Sequence, residues 1–464
     1  MPKQLRLNAF DMSCIGHQSP GLWTHPDDRA DSYNTLEYWT DLAQTLERGK
    51  FDALFLADVL GIYDVYQGSP RTALEQAVQV PVNDPLMAIS AMASVTTHLS
   101  FGATCALSYE LPYPFARRMS TLDHLTKGRI GWNIVTGYLD SAARGMGMPK
   151  QVAHDDRYDV AEDYMQATYK LWEASWEDGA VLRDRKGRRF ADASRIHRIL
   201  HDGPHFKVDA IHLCEPSPQR TPVLFQAGAS NRGRDFAARH AECVFINGPS
   251  KKVVGGIAAD LRRRAAAAGR DPRDLVIFTM MTVITGTTSK AAEDKYQDYL
   301  GYVSEEGGLA LMSGWTGLDF GAMDPDAVVR FTDKANAQTS ALEAFTTADP
   351  DRAWTVREIA RHAAIGGRGP VVVGSAEEVA EEFRAWVEQT GIDGFNLAYA
   401  LTPGTFADIA ELVVPELQAR GLFKHEYAVG TFREKLFGRG PRLPANHPAA
   451  AVRRPDADRS AEES

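Results

Sequence analysis

The chain lacks most of the features that would classify it at a glance. Its four cysteines, Cys14, Cys105, Cys214 and Cys243, form no close pair among 464 residues. That excludes a disulfide framework or a zinc ribbon and suits a reducing, cytoplasmic setting. No stretch of 18 apolar residues occurs, and the first residues contain no apolar signal core, so neither a membrane span nor secretion is expected. Positive charge is in deficit, with 51 Lys+Arg against 61 Asp+Glu and a net charge of −10. This argues against a nucleic-acid binder, which needs a basic face, and against docking on an anionic membrane. The 13 histidines include no H-x-H pair, and the local pair His201 and His205 has Gly and Pro between, so no metal site is expected. Also missing are G-x-G-x-x-G between a strand and a helix, G-x-x-x-x-G-K-[ST], G-x-S-x-G, H-E-x-x-H and C-x-x-C.

What remains is a well-patterned α/β chain. Hydrophobic residues make up 44%, charged residues 24% and aromatics 9%, ordinary values for a globular enzyme. Eight short apolar runs read as strands: Leu5–Phe10, Ala53–Ala57, Leu99–Leu107, Arg129–Val135, Val223–Ala227, Cys243–Ile246, Leu275–Ile284 and Gly394–Ala400. Continuous apolar runs such as ALFLA suit parallel strands buried on both faces. Each is followed by an amphipathic helix candidate: Tyr38–Lys50, Met87–Thr97, Phe115–Leu125, Val160–Trp172, Arg232–His240, Lys252–Ala267, Lys290–Leu300 and Phe406–Gln418. Eight β-then-α units favour a closed (β/α)8 TIM barrel, with a doubly wound sheet plus a second domain as the alternative. Residues 1–440 then form one barrel with insertions at 61–84, 177–222 and 304–371, all expected at the mouth, and 441–464 form a loose tail.

Polar residues gather at the C-terminal ends of these strands: Asp58, Thr104, Asn133, Thr136 and Gln226. In a barrel such ends surround one mouth, so the set reads as a polar-lined ligand site, although each alone reads as a strand-end cap. The turn Gly228-Ala229-Ser230-Asn231 opens a helix. Free N–H groups and the helix dipole make it a phosphate seat, with Gly228 allowing close approach and Arg234 adding charge; a plain Ser N-cap is the alternative. His154 and Tyr158, four apart in HDDRYD, share a helix face if the helix has begun there, and otherwise belong to a solvated helix start.

The stretches LERGKFDALFLAD (46–58), STLDHLTKGRIGWNIVT (120–136), HDDRYD (154–159), SPQRTPVLFQAGASNRGR (217–234) and GIDGFNLAYALTPGTFADIAELVVPEL (391–417) carry a resemblance. They resemble the luciferase-like two-component flavin monooxygenases related to nitrilotriacetate and dibenzothiophene-sulfone monooxygenases. The segments 8–23, 57–69, 80–85 and 171–181 are most similar to the branch of that class that oxidises dimethyl sulfide. The resemblance implies a bacterial luciferase-like barrel, reduced FMN as cofactor and O2 as co-substrate. It also implies a separate NAD(P)H-dependent flavin reductase as partner, with NAD(P)H used only by that reductase. The implied reaction takes a small organosulfur substrate, dimethyl sulfide giving methanethiol and formaldehyde. The same chemistry on a sulfone, alkanesulfonate, thioether conjugate or aminopolycarboxylate is the alternative, and a homo-oligomer, dimer or tetramer, is expected.

Carried over position by position, the resemblance implies FMN contacts at Asp58, Thr104, Asn133, His154, Tyr158, Ser230 and Phe245. His154, Tyr158 and Ser230 would hold the phosphate and Phe245 would form part of an apolar wall. Relatives often carry Thr-Ser at the end of strand four; here the pair is Thr136-Gly137, which leaves Thr136 or a backbone N–H as the donor. Cys14, His17 and Tyr63, with the third insertion, are the expected substrate lining. His17 is a candidate acid/base or hydrogen-bond donor, and Cys14 is either a reactive thiol or an inert buried one. The third insertion is expected to act as a lid hinged at Gly366–Gly369.

Overall fold

The computed structural model describes residues 4–228, 230–331, 339–348 and 352–453. Nine parallel strands form the frame: β1 (Arg6–Met12), β2 (Ala53–Ala57), β3 (Ser100–Ala106), β4 (Ile130–Val135), β5 (Val223–Gln226), β6 (Cys243–Ile246), β7 (Val276–Gly286), β8 (Val371–Ser375) and β9 (Gly394–Ala398). Neighbouring strands pair in the order β1 to β7, and β9 joins β7 to β1, so eight strands close a barrel. β8 stands outside the ring and extends only the outer half of β7, Val371 facing Thr282.

The two-residue period of the strands sorts their side chains. In β2, Ala53 and Phe55 point into the barrel with Phe10, Phe225, Phe245 and Phe278, while Leu54 and Leu56 pack outward under the helices. Both faces are therefore apolar, as the continuous runs require. The bottom of the barrel is stoppered by the short helix Phe432–Phe437, whose Phe432 ring lies 5.8 Å from Phe225. Beside it the buried Arg433 pairs with Glu242 at 2.6 Å and donates to the Thr221 and Pro222 carbonyls. No helix among the described residues is long and apolar enough to cross a membrane.

The eight expected strands and their helices are present, with ends shifted by a few residues. Two expectations need correction. The 177–222 insertion does not reach the mouth. It follows a helix, His154–Tyr169 with its π-turn to Ala174, rather than a strand, so it emerges at the opposite end. It folds there as two antiparallel hairpins, and Gln219 is tied to Asp123 and to the Ile130 carbonyl at the start of β4. The tail from 441 is also not loose as far as Arg453. Arg442 and Arg453 converge on the buried Glu173 carboxylate at 2.6 and 2.7 Å, and His447 lies 2.9 Å from the His240 carbonyl. Residues 454–464 lie outside the described residues.

Candidate active site

One long cavity opens at the C-terminal ends of the strands. It is lined by Asp58, Thr104, Asn133, Thr136, His154, Tyr158, Ser230, Phe245 and His17. These nine residues singled out by sequence therefore converge, as do Gln226 and Gly228. Cys14 does not: it is buried, bridged to Val82 across a short antiparallel contact, and off the cavity lining. Its thiol is pushed well up by burial and by Asp11 and Asp58, which suppresses the thiolate a nucleophile needs. Cys14 is packed beside Val82, away from the cavity.

One end of the cavity is a cradle. Ser230 caps the helix Asn231–His240, its Oγ accepting from the Gly233 N–H at 3.1 Å. The Tyr158 hydroxyl, brought in by the preceding helix, reaches the same point. A Cβ on Gly228 would lie 2.8 Å from that hydroxyl and one on Gly233 2.7 Å from it, so both glycines are required by the close approach. The His154 and Tyr158 rings pack 5.3 Å apart. Arg234 turns away to Asp260 at 3.1 Å, and the cation at this end is instead Arg157, a buried residue that lines the cavity and donates to the Gly137 carbonyl. Sequence reasoning passed over Arg157 inside HDDRYD because its burial depends on the barrel behind it. Ala229 of the expected turn lies outside the described residues.

The middle of the cavity is aromatic. Phe10, Phe55 and Phe245 form a floor, with ring centroids 4.9 to 5.7 Å apart. Around it stand buried polar atoms with no partner among the described residues: Asn133 Oδ1, whose amide Nδ2 donates to Thr104 Oγ1 at 2.8 Å, and Asn247 Oδ1. Both nitrogens of His17 are likewise unsatisfied. Burial pushes the His17 imidazole down to about 3, which favours the neutral ring, with one donor and one acceptor nitrogen. Orphaned polar atoms above an aromatic floor are what a planar heterocycle with ring N–H and carbonyl groups would satisfy. Asp58 is held up to about 7 by burial and by Asp84.

Gly137 has φ +68°, and a Cβ there would meet Tyr109 Oη at 3.1 Å and Gln151 Nε2 at 3.2 Å. A serine would be strained and crowded at this position. The Tyr109 hydroxyl accepts from Gln151, which leaves its own proton available to the cavity it lines. Thr136 also lines the cavity. The far wall comes from Gln18, Gln79, Tyr138, Trp315 and Arg368, with Tyr63 one layer behind and bonded to Tyr138. Gly366 and Gly367 do not form an open hinge: the Gly366 N–H is tied to Ser19 Oγ, and a Cβ on Gly367 would sit 2.0 Å from Gln18 Oε1.

A parallel barrel with an anion cradle beside an aromatic floor is the frame of an enzyme built for an elongated, phosphorylated, planar cofactor. Residues 10–394 match the luciferase-like monooxygenase family, and the chain belongs to it. It is a flavin-dependent monooxygenase. Dimethyl-sulfide monooxygenase of Hyphomicrobium sulfonivorans is 53% identical over 454 residues, spanning 98% of this chain and 94% of that protein. Long-chain alkane monooxygenase of Geobacillus thermodenitrificans is 50% identical over 456 residues, 98% and 99% of the two chains. The solved structure of a riboflavin lyase with modified FMN and riboflavin has a TM-score of 0.92 at 37% identity, covering 98% of this chain and 100% of that one.

Proposed function

We propose that the chain is the oxygenating component of a two-component cytoplasmic system. It takes reduced FMN from a separate NAD(P)H-dependent flavin reductase and inserts one atom of O2 into a small organosulfur compound, working as a homo-oligomer. The observation that carries this reading is the single cavity joining the Ser230–Tyr158 cradle to the Phe10–Phe55–Phe245 floor. Ser230, Tyr158, Arg157 and His154 would hold the phosphate, Thr104, Asn133 and Asp58 the ribityl chain and ring edge, and Phe245 the ring face. Held there, reduced FMN would supply the two electrons needed to activate O2, one oxygen atom going to the substrate and the other to water.

The chain's own part is to orient the substrate and keep water out. For dimethyl sulfide, the compound in the name of the 53% relative, one methyl group becomes hydroxymethyl. Its C–S bond then breaks, the hydroxyl proton passes to sulfur, and methanethiol and formaldehyde leave. The second reading, a long-chain alkane, comes from the 50% relative. The polar wall of His17, Gln79, Tyr138 and Arg368 disfavours it, because packing hydrocarbon there would desolvate these groups without replacing their hydrogen bonds.

Calorimetry with FMN and FAD, and product analysis with a reductase, NADH and FMN, test the proposal. FMN should bind tighter than FAD, the pure chain should not oxidise NADH, and dimethyl sulfide should yield formaldehyde. Steady NADH oxidation by the chain alone would overturn the two-component reading. Absence of product from every sulfur compound offered would overturn the substrate class.

A further inference from the structure

Charge is unevenly spread along the chain. Residues 181–191, the first hairpin of the 177–222 insertion, carry five cations against one carboxylate. Residues 23–41, between β1 and β2, carry five carboxylates against one cation. The chain as a whole stands at −10, so the hairpin is a basic ribbon on an acidic molecule.

The hairpin pairs Val181–Asp184 with Arg189–Ala191, and every residue from 182 to 190 is exposed. Of its cations Arg183 is engaged, 2.6 Å from Glu215 and 5.5 Å over the Phe190 ring. Arg185, Lys186, Arg188 and Arg189 make no ion pair among the described residues. Leu182 and Phe190, next to the Val181–Ala191 pair, are 42% and 56% exposed. A two-stranded ribbon in water is marginal by itself, and Arg and Phe are enriched where proteins meet.

The 23–41 segment is its counterpart. Asp27, Asp31, Glu37 and Asp41 are exposed and face no cation in an ion pair among the described residues. Asp28 is turned inward to the Ala30 and Thr402 N–H groups. Trp23 and Leu36 are the exposed apolar residues, at 38% and 58%. The Thr35 cap and the 2.7 Å bond from Trp39 Nε1 to the Tyr33 carbonyl fix the backbone that presents them. Four carboxylates with Leu and Trp thus match four cations with Leu and Phe. The two surfaces cannot meet within one molecule. The hairpin leaves the bottom of the barrel between β4 and β5, the acidic segment leaves the mouth between β1 and β2, and β1 and β5 lie across the eight-strand ring. For the same reason they cannot face each other reciprocally across a two-fold axis, so a contact between them runs head to tail.

We propose that the 181–191 hairpin of one copy docks on the 23–41 face of a second copy of this chain. This rests on the homo-oligomer reading above and gives it a surface. A polyanion would fit the hairpin but be repelled by the rest of the acidic chain.

Sedimentation of the full-length chain across a concentration series tests the contact. Wild type should associate further at low salt than at about 1 M salt, where exposed charges are screened. Lys186→Glu/Arg189→Glu and, separately, Asp31→Lys/Asp41→Lys should each weaken association about tenfold or more, with melting temperatures unchanged. Mixing these two variants should restore it, because each then carries the sign the other's altered patch needs. Phe190→Ser, which leaves every charge in place, should weaken it as well. A mass indifferent to both reversals, or no recovery on mixing, would overturn the contact while leaving the homo-oligomer. A chain monomeric under all conditions would overturn both. Retardation of a duplex DNA oligonucleotide, lost in the hairpin variant with no change in mass, would assign the hairpin to a polyanion and overturn the proposal.

Discussion

The Tyr158 hydroxyl stands where a side chain on Gly233 would begin, 2.7 Å from the position of its Cβ. Gly233 lies in the first turn of a helix, where glycine costs up to about 1 kcal/mol relative to alanine. Gly233→Ala should therefore leave the helix no less stable by propensity while pushing the phenol out of the cradle. FMN affinity should fall about tenfold with the melting temperature unchanged or raised. Ser230→Ala should weaken FMN binding by about 1–3 kcal/mol and Tyr158→Phe by less. Fluorescence titration of the three variants reads all these effects, and unchanged affinity throughout would place the phosphate elsewhere.

Tyr109 lies 3.1 Å from where a Gly137 Cβ would stand and is a candidate donor at that point. Tyr109→Phe removes one proton donor and little else, so FMN binding should change by less than about 1 kcal/mol. Coupling of oxygen use to product should suffer instead. The variant should release more hydrogen peroxide per O2 consumed, measured with an oxygen electrode and a peroxidase assay. Unaltered coupling would assign the role to Thr136 or to a backbone N–H.

Asp58 makes stability depend on pH in a defined direction. Its carboxyl, 3.8 in the unfolded chain, is raised to about 7 in the fold by burial and then by Asp84. Between those values the native state holds a proton that the unfolded state has released, so this group costs stability as pH rises through the window. Asp58→Asn removes that component. Relative to wild type the variant should gain unfolding free energy from about pH 4 to about pH 7 and run parallel above it, as urea melts across the range would show. A constant offset would mean that Asp58 ionises normally.

Cys14→Ala should keep turnover within about twofold, the range of a change that removes no transition-state contact. The protonated thiol should also resist iodoacetamide at mildly alkaline pH. Rapid alkylation with loss of activity would restore Cys14 to the chemistry.

Glu173 depends on the C-terminal segment. Burial raises its carboxyl, but Arg442 and Arg453 outweigh this and hold it below the ordinary value. Truncation after residue 440 removes both cations and should destabilise the chain by on the order of 3 kcal/mol, with recovery on adding Glu173→Gln. A truncated chain as stable as the whole would show that the clamp contributes nothing.

The strands were legible because a closed parallel barrel demands apolar residues on both faces and leaves short runs without polar interruption. Two elements were equally legible and passed over. β8 and the helix Ala376–Thr390 carry a Ser375–Glu378 capping box and a terminal Gly391 in the left-handed region, signals that stand in the sequence. Other features depend on packing between distant segments. The burial of Arg157 arises only when the barrel closes, and the lid arginine on the cavity is Arg368 rather than Arg352, stacked on Trp354, or Arg361, paired with Glu305. The placement of 177–222 was readable too, since it follows a helix and must leave from the opposite rim.

That placement gives the chain a natural seam. The exposed turn Arg185–Arg188 joins the two strands of the first hairpin, four barrel strands precede it, and four follow, with β8 outside the ring. A backbone opened at this turn leaves two half-barrels, each with the edges of β1 and β4, or of β5 and β9, unsatisfied and complementary to the other. Ser230 and Phe245 travel with one half, Asp58, Asn133 and Tyr158 with the other, so flavin fluorescence would report reassembly. The oxygenase would thereby become a split reporter whose signal requires both pieces.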